Sequence, residues 1–509
     1  MNRRITRLIH LYRMGIVVGS VALTLGIIPA WAGESYPPDR PDQGPAGFPG
    51  KAAFPRTGTD DSASDLTPKM PPLQWTQEGG GASRNPVFPM ASEANSEGEW
   101  KHRFHVSELP SGRVNPDNED FYAGVVESGG ILWLGSAQGD LLAVGAQQGN
   151  LLWKRYLGGP LLAQPVTSAR TLYVISARPG VTIPHMVLYA RTRRLIRGDG
   201  HERLWALSRK TGEIRWSARL RGGVMGTPVL LGHSIMVATG RGHLVFLDRQ
   251  DGHQVYDLPV DSRSFGWASP VEKDHQVVLA QENPPLYQAV SLDGLQRLWR
   301  FQWKGTRTWD HFFIGTPLLS DGLLIGVVRI RSPIEDVIVA LDFRTGTLRW
   351  KFAFPDGKAD GIEDHSLPTL SDGLVYVPSG PAHLLAALDV QTGKQQWVLH
   401  LPEAPETGGT AVGQLLLLPL PSGILLSIDR ETGVVVARNK VADGLGPHPP
   451  VVVGGHCFLA ARDGLVRSML IAGLGRTAGE LAARIWPAPA SDQTRNPSLT
   501  GKVSRMPPS

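Results

Sequence analysis

The stretch ALDFRTGTLRW, residues 340–350, runs from an apolar pair through an Asp into a Thr-Gly turn, and a Trp follows four residues after the Gly. It recurs along the chain. ALSRKTGEIRW ends at Trp216, ALDVQTGKQQW at Trp397 and AVGAQQGNLLW at Trp153, with Gly212, Gly393 and Gly149 in the place of Gly346. FLDRQDGHQVY keeps the Gly and puts Tyr256 in the Trp place, whereas SIDRETGVVVA keeps Thr-Gly and has Ala437 there. SLDGLQRLW is a copy shortened at the turn and ends at Trp299. A period of roughly 40 residues marks a repeat architecture.

Each copy also has a front half. TPLLSDGLLIGVV starts at Thr316, LPTLSDGLVYVPSG at Leu367, TPVLLGHSIMVATG at Thr227 and SPVEKDHQVVLAQ at Ser269. These are short apolar runs around a polar turn, often Asp-Gly. Asp-Gly and Thr-Gly supply the positive-φ residues that tight hairpins need. The two halves together make four strands, A to D. An all-β sandwich of unrelated hairpins would leave the fixed Gly-to-Trp spacing unexplained. Four-stranded repeats close into β-propellers. The expected fold class is therefore all-β, an eight-bladed β-propeller, with seven blades the alternative. Strand A begins near Tyr122, Gln164, Thr227, Ser269, Thr316, Leu367, Thr410 and Pro449. The eighth unit, PPVVVGGHCFLAARDGLVRSML, has three strands and no Trp copy. EWKHRFHV at residues 99–106 resembles RWKFAF at 349–354, so an N-terminal strand is expected to complete the last blade and close the ring.

The propeller is expected over 99–472 of the 509 residues. A ring of blades grows by addition, which accommodates that length. Residues 1–32 are expected to be a signal peptide, with Arg3, Arg4, Arg7 and Arg13 before the apolar run 15–28 and a cleavage site at Ala32. No Cys follows it for lipid attachment. Residues 33–98 hold eleven prolines between Pro37 and Pro89 and read as a disordered leader or an extended arm. Residues 473–509 read as a tail with a short helix. Cys457 is the sole cysteine, so no intrachain disulfide forms even in an oxidising compartment. The net charge is +5, most of the cations are Arg, and only 19% of residues are charged. An exported propeller without a basic helix gives no reason to expect nucleic acid. Low carboxylate content suits an acidic exterior, because fewer acids protonate as pH falls.

Strand order assigns faces. The D–A and B–C loops share one face and the A–B and C–D turns share the other. Ligands in such rings are expected over the channel on the D–A side. Before blade 5 lie Arg307, Trp309, Asp310 and His311; before blade 6, Glu363, Asp364 and His365; before blade 8, His448; before blade 4, Arg263 and Trp267. The B–C loops are expected to add Arg241, His243, Asn283, Arg331, Asp336, His383, Arg462 and Asp463, and an insertion at 178–203 carries Arg191, Arg193, Arg194 and Arg197. Converging cations with a few carboxylates suit a small anion and an acid/base group. Asp310 carries that chemistry or caps its loop by bonding backbone N–H; Asp364-His365 is a functional or a structural pair. No zinc-ligand spacing, G-x-S-x-G elbow or P-loop is present.

The ALDxxTGxxxW copies resemble the quinoprotein-type (PQQ-like) propeller repeat over nearly all of 99–472. Three exported families share that repeat. PQQ-dependent alcohol dehydrogenases bind the quinone with calcium and carry a vicinal Cys pair, which a single Cys rules out here. The BamB-type assembly lipoprotein is a shorter scaffold with a lipidated Cys. In size, signal, cysteine poverty and low acid content the chain resembles the tetrathionate hydrolases of acidophilic sulfur oxidisers. That resemblance implies hydrolysis of tetrathionate to thiosulfate, sulfate and sulfur, no cofactor, a homodimer in the periplasm or against the outer membrane, and an essential Asp placed at Asp310. Trp309, His311, Arg331, Glu363, Asp364, His365, His448 and Arg462 are then the expected substrate-binding residues. A BamB-like scaffold and a dehydrogenase relative are the alternatives.

Overall fold

The structure, a computed structural model, describes residues 87–88, 99–104 and, with short interruptions, 121–471. The expected signal peptide, most of the leader and the C-terminal tail lie outside the described residues. Eight antiparallel four-stranded blades follow one another along the chain, and blade 7 gains a fifth strand, Val87–Phe88 of the expected leader, which pairs in parallel with Thr410–Val412. Blade 5 shows the pattern: His311–Ser320, Leu323–Arg331, Ile334–Asp342 and Leu348–Ala353 pair in that order. Blade 8 is completed from the other end of the chain. Trp100–Arg103 pairs antiparallel with Leu465–Leu470, Trp100 opposite Ser468, outside His456–Ala460 and Val451–Val453. The blade count of eight and the closing strand are as expected from the repeats.

Burial explains why the inner strands read as unbroken apolar runs. Thr171–Ser176 is buried at every position, while the outer strand Leu348–Ala353 alternates between exposed and partly buried. An inner strand is covered on both faces, by the blade before and the blade after. In blade 5, Leu324 and Val328 pack with Val278 and Tyr287 of blade 4, whereas Ile325 and Val327 pack with Val375 and Val377 of blade 6. The core is thus a circle of layers between neighbouring blades. Alternation along each strand divides its side chains between two layers.

The repeated motif is the lock between those layers. In the C–D turn of blade 5, Asp342 Oδ1 accepts the Thr345 N–H at 2.9 Å and the Thr345 hydroxyl at 3.0 Å, and Gly346 N–H donates to the Asp342 carbonyl. Asp389 with Thr392 and Asp429 with Thr432 repeat the arrangement. The Gly stands at positive φ with the preceding blade's Trp lying on it. A Cβ on Gly393 would come within 2.5 Å of Trp350, and one on Gly212 within 2.7 Å of Trp153. Each indole N–H then donates to a carbonyl in that same turn: Trp100 to Ala146, Trp153 to Arg209, Trp216 to Arg249, Trp299 to Phe343, Trp350 to Val390 and Trp397 to Arg430, all within 2.8–3.1 Å.

The two departures from the motif follow from this lock. Tyr256 of blade 3 faces the shortened turn of blade 4, and Ala437 of blade 7 faces blade 8, whose third and fourth strands come from opposite ends of the chain with no turn between them. Where the next blade offers no Gly platform, the Trp is absent. Arginines reinforce three of the junctions. Arg209 donates to the Ser128 and Ser168 carbonyls and lies over Trp133, Arg249 lies over Tyr173, and Arg430 reaches Gly413 O and Asp372.

Candidate functional site

The antiparallel order puts the loops between one blade's outer strand and the next blade's inner strand on the same face as the B–C turns. This is the mouth face. Blade 5 rises above its neighbours there. Its first three strands have 10, 9 and 9 residues, against 3, 6 and 6 in blade 6. The register explains the height. Ile314 pairs with Val327 and Leu318 with Ile325, so residues 315–317 bulge opposite Gly326, and His311–Ile314 continues the ladder beyond the bulge. Gly315 takes the positive φ (+64°) there. Such bulges re-aim a strand and are common beside functional sites.

The expected site residues fall into three groups. Trp309, Asp310, Glu363, Asp364 and His365 lie outside the described residues, as do Arg307, Arg263, Trp267, Asn283, Asp463, Arg191, Arg193 and Arg194. His311 and Arg331 are placed by their backbones. His311 stands opposite Ile330 at the raised end of blade 5, and Arg331 follows Ile330 and pairs with Ile334. Arg197 belongs to the second strand of a hairpin, Val187–Tyr189 with Leu195–Arg197, inside the blade-2 insertion.

His448 and Arg462 are described in full. A Cβ on Gly124 would lie 2.7 Å from His448 Cγ, so the imidazole is wedged from the blade 7–8 loop against the entry to blade 1. Arg462 Nη2 donates to Glu406 Oε1 at 3.1 Å; the guanidinium is 36% exposed and the carboxylate 4%. Glu406 lies in the blade 6–7 loop, and its carbonyl accepts the Leu367 N–H. Leu367 directly follows the segment that holds Glu363, Asp364 and His365, and it bridges in parallel to Thr407. Arg462 and the start of blade 6 are therefore joined through one loop.

Two expectations need correcting. Asp336 is not a loop residue. It is the third residue of Ile334–Asp342, fully buried, and accepts a fork from Arg329: Nε to Oδ1 at 2.8 Å and Nη2 to Oδ2 at 3.1 Å. His243 begins the strand His243–Asp248, and its Nδ1 meets Asp257 Oδ1 at 2.6 Å. Arg462–Glu406, Arg329–Asp336 and His243–Asp257 are thus charges paired with one another at this face. Glu406, Arg329 and Ser379 were missed from sequence. A polar residue inside an apolar run carries no local mark of its partner, and Glu406 lies 56 residues from Arg462.

The opposite face holds carboxyls shifted in both directions. Burial pushes the Glu127 carboxyl up, against the Gly130 N–H and the nearby Arg209, and the Arg349 guanidinium, with Thr345, draws Asp342 down to about 2. Asp248, Asp251 and His253 lie within ligand distance of one another there, but Asp248 Oδ1 accepts the Gln250 N–H and Asp251 Oδ1 accepts the backbone N–H of His253 while meeting its ring Nδ1 at 2.6 Å. Cys457 is fully buried, with its thiol pushed up to about 12 by burial, so it is unreactive.

A family model described as outer membrane protein assembly factor BamB matches residues 183–283 and 286–466. The chain belongs to this PQQ-like β-propeller family. Among curated proteins, tetrathionate hydrolase from Acidithiobacillus ferrooxidans is 22% identical over 439 residues, 79% of this chain and 86% of the relative. The assembly factor BamB of Alkalilimnicola ehrlichii is 27% identical over 149 residues, 29% of this chain and 32% of the relative. Among solved structures, quinohemoprotein alcohol dehydrogenase from Comamonas testosteroni superposes with a TM-score of 0.58 at 13% identity, covering 78% of this chain and 80% of that one. The family therefore includes relatives with and without catalytic names, and the structural likeness speaks to the fold alone.

Proposed function

We propose that the chain is an exported hydrolase of tetrathionate, working at acid pH in dissimilatory sulfur oxidation. The observation that carries this reading is coverage: the likeness to tetrathionate hydrolase runs through 79% of this chain and 86% of the relative. In this reading tetrathionate and water give thiosulfate, sulfate and sulfur, with release of protons. Tetrathionate is a dianion with sulfonate ends, which planar guanidinium forks bind well. Arg462, one-third exposed on the mouth face, and Arg331 at the raised end of blade 5 would hold the sulfonates. His448 and His311 would add positive charge when protonated, beside Trp309, Glu363, Asp364 and His365. Asp310, bonded to His311, would orient and deprotonate the attacking water or protonate the departing sulfur. The mature protein would be periplasmic or held at the outer membrane, as a homodimer, without a cofactor.

The test is turnover. The purified mature chain is incubated with tetrathionate at about pH 3 and at pH 7, and thiosulfate is followed. Activity favoured at pH 3 and reduced at least about 100-fold in Asp310→Asn, with the fold unchanged by circular dichroism, is the expected result. Full activity in Asp310→Asn would remove that residue from the chemistry.

A scaffold is the second reading, favoured by the description of the family model and by the outer strand of blade 1, where Leu151, Leu152 and Tyr156 are each 47% exposed. It predicts no turnover at either pH and capture of an envelope protein through that strand.

A further inference from the structure

The raised end of blade 5 contains an ion pair where its neighbours in the same layer are apolar. Arg329 and Asp336 continue, toward the mouth, the row formed by Ile325, Val327 and Ile338 against blade 6. Both side chains are at 0% exposure, and the fork is bidentate. Ser379, the last residue of Leu374–Ser379 in blade 6, donates its hydroxyl to Asp336 Oδ2 at 3.0 Å. In the ladder, Arg329 stands between Phe312 on the inner strand and Asp336 on the third. The pair therefore stands level with Phe312, within the four residues, His311–Ile314, that lie beyond the bulge.

A buried ion pair is a poor device for stability, because apolar side chains of equal volume commonly serve as well or better. It is a good device for fixing register, since a shifted strand would leave two buried charges unmatched. We propose that Arg329 and Asp336 are positioning residues. Their fork, tied to blade 6 through Ser379, holds the His311 end of the inner strand at a fixed place at the mouth. This rests on the reading that the reaction takes place at that mouth. A displacement of about 1 Å in a catalytic group costs on the order of 100-fold in rate.

Three variants and three readouts test it. In Arg329→Met/Asp336→Leu the layer stays packed, so the melting temperature is expected to hold within a few degrees. Amide hydrogen exchange at 311–314 is expected to rise about tenfold. Tetrathionate turnover is expected to fall about 10- to 100-fold in kcat with KM changed far less. Arg329→Lys, which keeps the charge and loses the fork, is expected not to restore kcat. Ser379→Ala leaves the fork and removes the tie to blade 6, together with the acceptor of the Ala382 N–H within blade 6, so a smaller rise in the same amides is expected even if the double variant fails to fold. Unchanged exchange at 311–314 in Ser379→Ala and in the folded double variant overturns the proposal. If the wild type does not cleave tetrathionate, the functional reading fails on that count alone, and the exchange data still decide the clamp.

Discussion

Trp350 lays its ring on Gly393 and donates its indole N–H to the Val390 carbonyl at 2.9 Å, so one side chain joins blade 5 to blade 6 by packing and by a hydrogen bond. The two residues need each other. Gly393 stands at φ +68°, where a side chain strains the backbone, and its Cβ would lie 2.5 Å from the ring. Gly393→Ala is expected to destabilise by about 2–3 kcal/mol, from overpacking and the left-handed conformation together. Trp350→Ala is expected to cost about 3–5 kcal/mol. Combined, they should cost less than their sum by about 1 kcal/mol or more, since removing the ring also removes the clash. Urea unfolding of the two single variants and the double variant measures this. Strict additivity would show that the Gly is kept for its turn alone. This dependence is also why the motif was legible. Each copy carries both halves of the lock, a Gly under the preceding blade's Trp and, four residues on, a Trp for the next blade's Gly, and Tyr256 and Ala437 stand where the next blade's turn is shortened or absent.

At the scale of the element, the closing strand was visible as EWKHRFHV because an outer strand must carry the same Trp as the other copies. Trp100 donates to Ala146 O in blade 1, Phe104 N–H to Gly464 O, and Leu470 N–H to Glu99 Oε1 at 2.8 Å. A chain beginning at residue 105 loses these and exposes the edge of Leu465–Leu470. Loss of the Trp100 side chain alone is worth about 3–5 kcal/mol, and an unpaired edge invites association. Such a truncation is therefore expected to melt at least about 5 °C lower than one beginning at residue 97 and to elute as larger species. Equal melting temperature and a single peak of unchanged size would show that the strand does not close the ring. The candidate site was less legible. Asp336 sits two residues past a break in an apolar run and reads as a loop, although it belongs to a longer strand whose bulge at 315–317 no local pattern announces. The Arg462–Glu406 pair joins two loops that only the packing of blade 8 against blade 7 brings together.

At the scale of the whole molecule, the face opposite the mouth is built to stay charged in acid. Arg349 draws Asp342 down to about 2, Arg430 lowers Asp372, and the turn threonines Thr392 and Thr432 lower Asp389 and Asp429. A carboxyl with a depressed folded pKa binds fewer protons folded than unfolded. Its stabilisation is therefore present in full above the unfolded value of about 3.9 and is lost as pH falls through the folded value. For Asp342 that window runs from about pH 4 down to about 2. Glu127 acts in the opposite sense. Burial raises it, so the fold disfavours its charged form and regains stability as the carboxyl protonates. Stability should therefore change little between neutral pH and about pH 4 and fall steeply only toward pH 2. Asp342→Asn isolates one contribution. The Arg349 side chain is 58% exposed, so solvent screens the pair and the expected loss at pH 5 is about 1 kcal/mol, smaller than the bare shift implies. Melting curves of both proteins from pH 6 to pH 1.5 should show the gap between them closing below about pH 2, where Asp342 is protonated in the wild type as well. A gap that stays constant over the whole range would mean that Asp342 acts through the turn's hydrogen bonds irrespective of its charge.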